Sequence, residues 1–106
     1  MGKKEKEFFL DAFNSNWIAP LGPDLDAFEK EIKNYLGIGF SCALSSGTAA
    51  LHLALKVLNI KEGDIVLCPS LTFIASANVI LYENATPVFI DVDSDYWTID
   101  ISHLNK

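Results

Sequence analysis

Three short apolar runs, 40–44 (FSCAL), 64–69 (DIVLCP) and 86–92 (TPVFIDV), alternate with segments of helix length and constrain the fold most. None alternates with polar residues, so each suits a strand covered on both faces. The intervening segments, helices expected over about 47–58 and 72–82, run 11 or 12 residues, as a crossover between parallel strands requires. That order predicts parallel βαβ units and an α/β class. Three such strands leave two unpaired edges and, with two helices, a poorly covered sheet. The chain therefore reads as part of a larger domain, with a small complete βαβαβ protein as the alternative.

Composition excludes several classes. At 106 residues the chain is one domain at most, half of it hydrophobic, and so not a disordered segment. Eight Lys and Arg face 14 Asp and Glu, a net charge of −6, with no basic stripe for nucleic acid. Lys3, Lys4 and Lys6 interleave with Glu5 and Glu7 and read as a solvated helix face. Cys42 and Cys68 match no zinc spacing; both sit in apolar runs and read as buried free thiols of a reducing compartment. No apolar run has the 18 or so residues of a membrane span, and the start lacks the pattern of a secretory signal. The cytoplasm is the expected location.

A helix is expected up to Phe13, with Phe8, Phe9, Ala12 and Phe13 on one side. The stretch 14–23 (NSNWIAPLGP) is a loop, broken by Asn, Pro and Gly. From Asp24, Leu25, Phe28, Ile32 and Leu36 recur at helical spacing, Glu29 and Lys33 form an i,i+4 pair, and Gly37 closes the helix. The organisation expected is an N-terminal helix and loop, 1–23, followed by a partial domain, 24–106.

Ser45, Ser46, Gly47 and Thr48 precede an apolar helix at the carboxyl end of the first expected strand, where open α/β sheets bind ligands. Helix-terminal amides there favour phosphate, and Gly47 lets an anion approach the backbone. The alternative is a cap by Ser46 or Thr48. The run is neither a Walker A loop nor a G-x-G-x-x-G fingerprint.

A similar arrangement follows the second strand. Ser70 or Thr72 is placed to cap, and Phe73 is expected in the first helical turn. There it either covers a flat ring or joins Ala77, Ile80 and Leu81 on the core face, and spacing alone favours the core. Asp91, Asp93 and Asp95 do not make a calcium loop, because Tyr96 and Ser102 stand where glycine and glutamate are needed. Asp91 and Asp93 fit either a solvated strand end or an aspartyl-phosphate phosphatase of the haloacid dehalogenase type. His52 and His103 have no metal-ligand companions at suitable spacing, so no metal site is expected.

Taken together, NWIAPLGPDLDAFEKEIKNYLG, ALSSGTAALHLAL, GDIVLCPSLTFIASANVILYENATPVFIDVD and WTID resemble, in order and spacing, the DegT-type sugar aminotransferases. These are pyridoxal-phosphate enzymes of the aspartate aminotransferase fold (fold type I). The resemblance implies that Gly47, Thr48 and Ala49, with Ser46 adjacent, hold the cofactor phosphate. It also implies that Phe73 stacks on the pyridine ring and that Trp17, in the loop 17–22, shapes the substrate pocket. The implied activity transfers an amino group, typically from glutamate, to a keto sugar linked to a nucleotide in bacterial glycan synthesis, in a homodimer without nucleic-acid or membrane partners.

Family members are several times longer. Their Schiff-base lysine lies beyond the position of residue 106, and none of Lys56, Lys61 or Lys106 sits in its motif. The resemblance thus implies an N-terminal fragment, inactive alone, that holds no catalytic residue. The Asp91/Asp93 phosphatase and a non-catalytic α/β remnant are the competing readings.

Overall fold

The computed structural model describes residues 2–17 and 19–105; Met1, Ile18 in the predicted substrate loop, and Lys106 lie outside the described residues. The chain divides into two compact units, 1–43 and 44–106.

The first unit holds two helices, α1 (Lys3–Asn14) and α2 (Pro23–Leu36). On α1 the Phe9 and Phe13 rings stack at 6.4 Å, and both stay exposed, as does Phe8. The start of α2 is set by Pro23 in the first turn, with Asp24 and Asp26 at the positive end of the helix dipole. Its end is the expected one: Gly37 turns left-handed (φ 67°), and the Ile38 amide reaches back to the Lys33 carbonyl at 3.2 Å.

Two expectations fail beyond that point. The Glu29–Lys33 pair does not form: Glu29 Oε1 accepts from the Ala43 amide at 2.8 Å, and Lys33 Nζ sits 5.8 Å from the Phe40 ring centre. The predicted first strand, 40–44, is not a strand among the described residues. Its Ser41 hydroxyl and Ala43 amide bond to Glu29 instead of to a neighbouring strand, and a strand exists only through its ladder.

The second unit runs α3 (Gly47–Val57), β1 (Ile65–Pro69), α4 (Ala75–Tyr82), β2 (Thr86–Ile90) and a 3₁₀ turn, Ile101–Asn105. Strands β1 and β2 pair in parallel from Ile65↔Thr86 to Pro69↔Ile90, with α4 as the crossover. The expected βαβ unit is therefore present, in a two-stranded sheet rather than a three-stranded one. Cover on both faces is not realised: Cys68 is buried and Val66 half-buried, whereas the alternate residues Ile65 and Leu67 are exposed. The small core joins Cys68 to Ala77, Val79 and Ile80 of α4 and to Ala85, with Leu55, Ile60 and Val66 packed against it.

Helices α3 and α4 stop the same way. Asn59 (φ 59°) and Asn84 (φ 55°) enter the left-handed region, and the next amides, Ile60 and Ala85, return to Leu55 and Ile80 carbonyls at 3.0 and 3.2 Å. Asparagine tolerates that conformation better than other non-glycine residues. Among the described residues, no helix is long and apolar enough to cross a membrane.

Candidate functional site

At the start of α3 the group that caps the helix and the groups available to an anion are different atoms. Ser46 is extended (φ −163°, ψ 161°), and its Oγ accepts from the Ala49 amide at 3.1 Å. Its carbonyl takes the Ala50 amide at 3.1 Å. The Ser46 hydroxyl is thus the cap. The amides of Gly47 and Thr48, at the first two helical positions, have no hydrogen-bond partner among the described residues. They are the groups that a helix N-terminus presents to an anion.

These two residues, with Ala50 and Leu51 of α3, line an open cavity of about 560 Å³ together with Phe73, Ala75 and Ser76. Ser46 and Ala49 are outside that lining. A Cβ added at Gly47 would meet nothing within 4 Å. Neither packing nor strain within this chain therefore asks for glycine there, and the space is open to a ligand.

Phe73 is not where periodicity puts it. Helix α4 begins at Ala75, so Phe73 lies in the preceding loop, and it is 77% exposed while Ala77 and Ile80 are buried. The buried stripe of Ala77 and Ile80 does not extend to Phe73, because the helix starts two residues after it. Nor do Ser70 and Thr72 cap: α4 has no side-chain cap, Thr72 Oγ1 lies 3.1 Å from Ser76 Oγ, and Ser70 Oγ donates to Asp91 Oδ1 at 3.3 Å.

Trp17 belongs to the first unit. Its indole Nε1 donates to the Leu21 carbonyl at 2.6 Å, and a Cβ at Gly22 would run into the ring. Asp91 and Asp93 accept from separate backbone partners. Asp91 Oδ1 takes the Val92 amide at 2.8 Å, and Asp93 Oδ1 takes the Asp95 and Tyr96 amides, both at 2.9 Å, closing a turn.

Spacing did not reveal one cluster. Glu83, only 7% exposed, sits between His52 Nε2 at 2.6 Å and Lys56 Nζ at 2.7 Å. The hydrogen bond from Lys56, aided by His52, holds its carboxyl below the ordinary carboxylate range against the opposing effect of burial. An ionised carboxylate only accepts, so His52 carries its proton on Nε2. The partners lie 27 and 31 residues from Glu83, beyond any local pattern.

The N-terminus of α3 and the Phe73 ring, which follows β1, line one cavity beside the βαβ unit of an α/β fold, a class that binds ligands at the carboxyl ends of its strands. The chain belongs to the DegT/DnrJ/EryC1/StrS aminotransferase family, whose family model matches residues 1–106. It is 49% identical over 106 residues to EpsN of Bacillus subtilis, described as a pyridoxal phosphate-dependent aminotransferase, covering all of this chain and 27% of that one. It is 41% identical to GDP-perosamine synthase of Escherichia coli O157:H7, covering 97% of this chain and 28% of that one. Its fold matches a Streptococcus pneumoniae chain described as a sugar aminotransferase and solved in a PLP form, with TM-score 0.88 and 35% identity over 98% of this chain and 26% of that one. The chain thus spans about a quarter of the length of the relatives it matches. The phosphatase reading of Asp91 and Asp93 receives no support from these relatives, and the turn amides already occupy Asp93.

Proposed function

We propose that this chain contributes the cofactor-phosphate cup of a pyridoxal-phosphate aminotransferase that moves an amino group, from glutamate, to a keto sugar linked to a nucleotide in polysaccharide biosynthesis. The observation that carries the proposal is the shared cavity: two amides without a partner among the described residues, Gly47 and Thr48, and one exposed aromatic, Phe73, line the same space. The residues fit the group, with donors for a dianion on one wall and apolar surface for a flat ring on the other.

When bound, the cofactor supplies the electron sink for amine transfer. Gly47 and Thr48 would hold phosphate oxygens through their amides, with the Thr48 hydroxyl as a third donor and the helix dipole favouring the charge. Ser46 and Ala49 act one step back, their hydrogen bond holding the first turn of α3 in place. Phe73 would cover one face of the ring and exclude water from it. Lys56 is committed to Glu83, so the lysine that family members use is not supplied from that position, and the 106-residue chain is expected to bind without transaminating.

Trp17 enters this reading as the residue that shapes the substrate pocket, its indole tethered through Leu21 while its ring stays exposed. The exposed Phe8, Phe9 and Phe13 of α1 support burial against further polypeptide, in keeping with a homodimeric parent enzyme. The cytoplasm is its proposed location.

Titration with pyridoxal 5′-phosphate tests the cup. Binding should be saturable and fall at least about tenfold in Gly47→Val, which places carbon in the anion's approach. Equal binding by both proteins would exclude Gly47 from the site.

A further inference from the structure

Helices α3 and α4 lie side by side, and their two ends are used differently. At the N-terminal end, Gly47 and Thr48 of α3 line the cavity with Phe73 ahead of α4 and Ala75 and Ser76 in its first turn. Toward the C-terminal end, His52 and Lys56 of α3 grip Glu83, the residue that follows α4. The Tyr82 ring meets His52 edge-on, with centres 5.4 Å apart. Helix α3 is 11 residues long, so it spans about 16 Å. A rigid rod of that length transmits a tilt at one end directly to the other.

Building on the proposed cofactor cup, we propose that Glu83 is a positioning residue for it: by clamping His52 and Lys56, its carboxylate sets the spacing between the Gly47–Thr48 amides and Phe73. Helix α3 packs chiefly on α4 within this unit. Apolar packing such as that of Leu55 on the core is non-directional and tolerates sliding, whereas a buried carboxylate held by two charged or polar donors has one geometry. Removing the charge therefore loosens the tilt of α3 without removing any group that touches a ligand.

Two ligands separate this role from a general loss of structure. Inorganic phosphate needs only the cup, whereas pyridoxal 5′-phosphate needs the cup and Phe73 at the right spacing. Both are titrated against the wild-type chain, Glu83→Gln and Lys56→Met, with far-UV circular dichroism reporting folding. Glu83→Gln should weaken pyridoxal 5′-phosphate about tenfold and leave inorganic phosphate at wild-type affinity. Lys56→Met, which keeps His52 on Glu83, should show the same split at smaller size and carries the test if Glu83→Gln does not fold. Equal loss of both ligands, or loss of neither, overturns the positioning role while the cup stands. A wild-type chain that binds neither ligand overturns the cup, and the positioning role with it.

Discussion

His52 Nε2 and Glu83 Oε1 stand 2.6 Å apart across 31 positions of sequence. Glu83 is the one buried charged residue among the described residues. Lys56 completes its satisfaction from the opposite oxygen at 2.7 Å. Burying a charge without partners is costly, so these two donors are the condition for Glu83 to stand there at all.

The sign of the pH dependence follows from that pair. Lys56 chiefly, with His52, holds the Glu83 carboxyl below its ordinary value of 4.5. Its contribution to stability is complete above that value and is lost as pH falls through the lower folded-state value, because the unfolded chain takes up the proton first. Urea midpoints of the wild type should therefore decline more steeply on acidification below pH 4.5 than those of Glu83→Gln. Parallel declines would show that the pair adds nothing to acid stability.

Ser46 and Thr48 should separate capping from anion binding. Ser46→Ala removes the hydroxyl that holds the Ala49 amide and should cost about 1 kcal/mol in urea unfolding. Thr48→Val keeps the amide and should change stability by no more than about 0.5 kcal/mol. Its phosphate affinity should nevertheless fall by about threefold to tenfold, the worth of one hydrogen bond. An unchanged midpoint in Ser46→Ala would remove its capping role.

Phe73 offers a sharper discrimination. With the ring 77% exposed, Phe73→Ala should alter stability by about 0.5 kcal/mol or less. Pyridoxal 5′-phosphate should bind about threefold to tenfold more weakly, as for the loss of one stacked pair, with inorganic phosphate unaffected. A loss of several kcal/mol would return Phe73 to the core.

The two thiols should react unequally. Cys42 is exposed, contrary to the expectation from its apolar run, whereas Cys68 is 1% exposed and burial pushes its thiol pKa up. One thiol should therefore titrate rapidly with a disulfide reagent in the folded chain, and the second only as urea unfolds it. Two fast thiols would mean that β1 is not packed against α4.

What was legible in the sequence was local. Glycine at the end of α2 and Ser46 ahead of α3 act on backbone groups within a few residues, so spacing reveals them. The βαβ order and the motif blocks that mark the family are likewise written along the chain. Tertiary structure decided whatever depends on distant partners. Residues 40–44 have strand composition, yet Glu29 takes the Ser41 hydroxyl and the Ala43 amide, and no ladder forms among the described residues. Phe73 continues a helical stripe, yet the helix starts after it and leaves the ring in the cavity. Glu83 carries no local signal in the sequence, and only the approach of α3 buries and pairs it. The physical reason is common to all three. Backbone propensity acts over one turn, whereas burial and charge pairing depend on which segments the fold brings together.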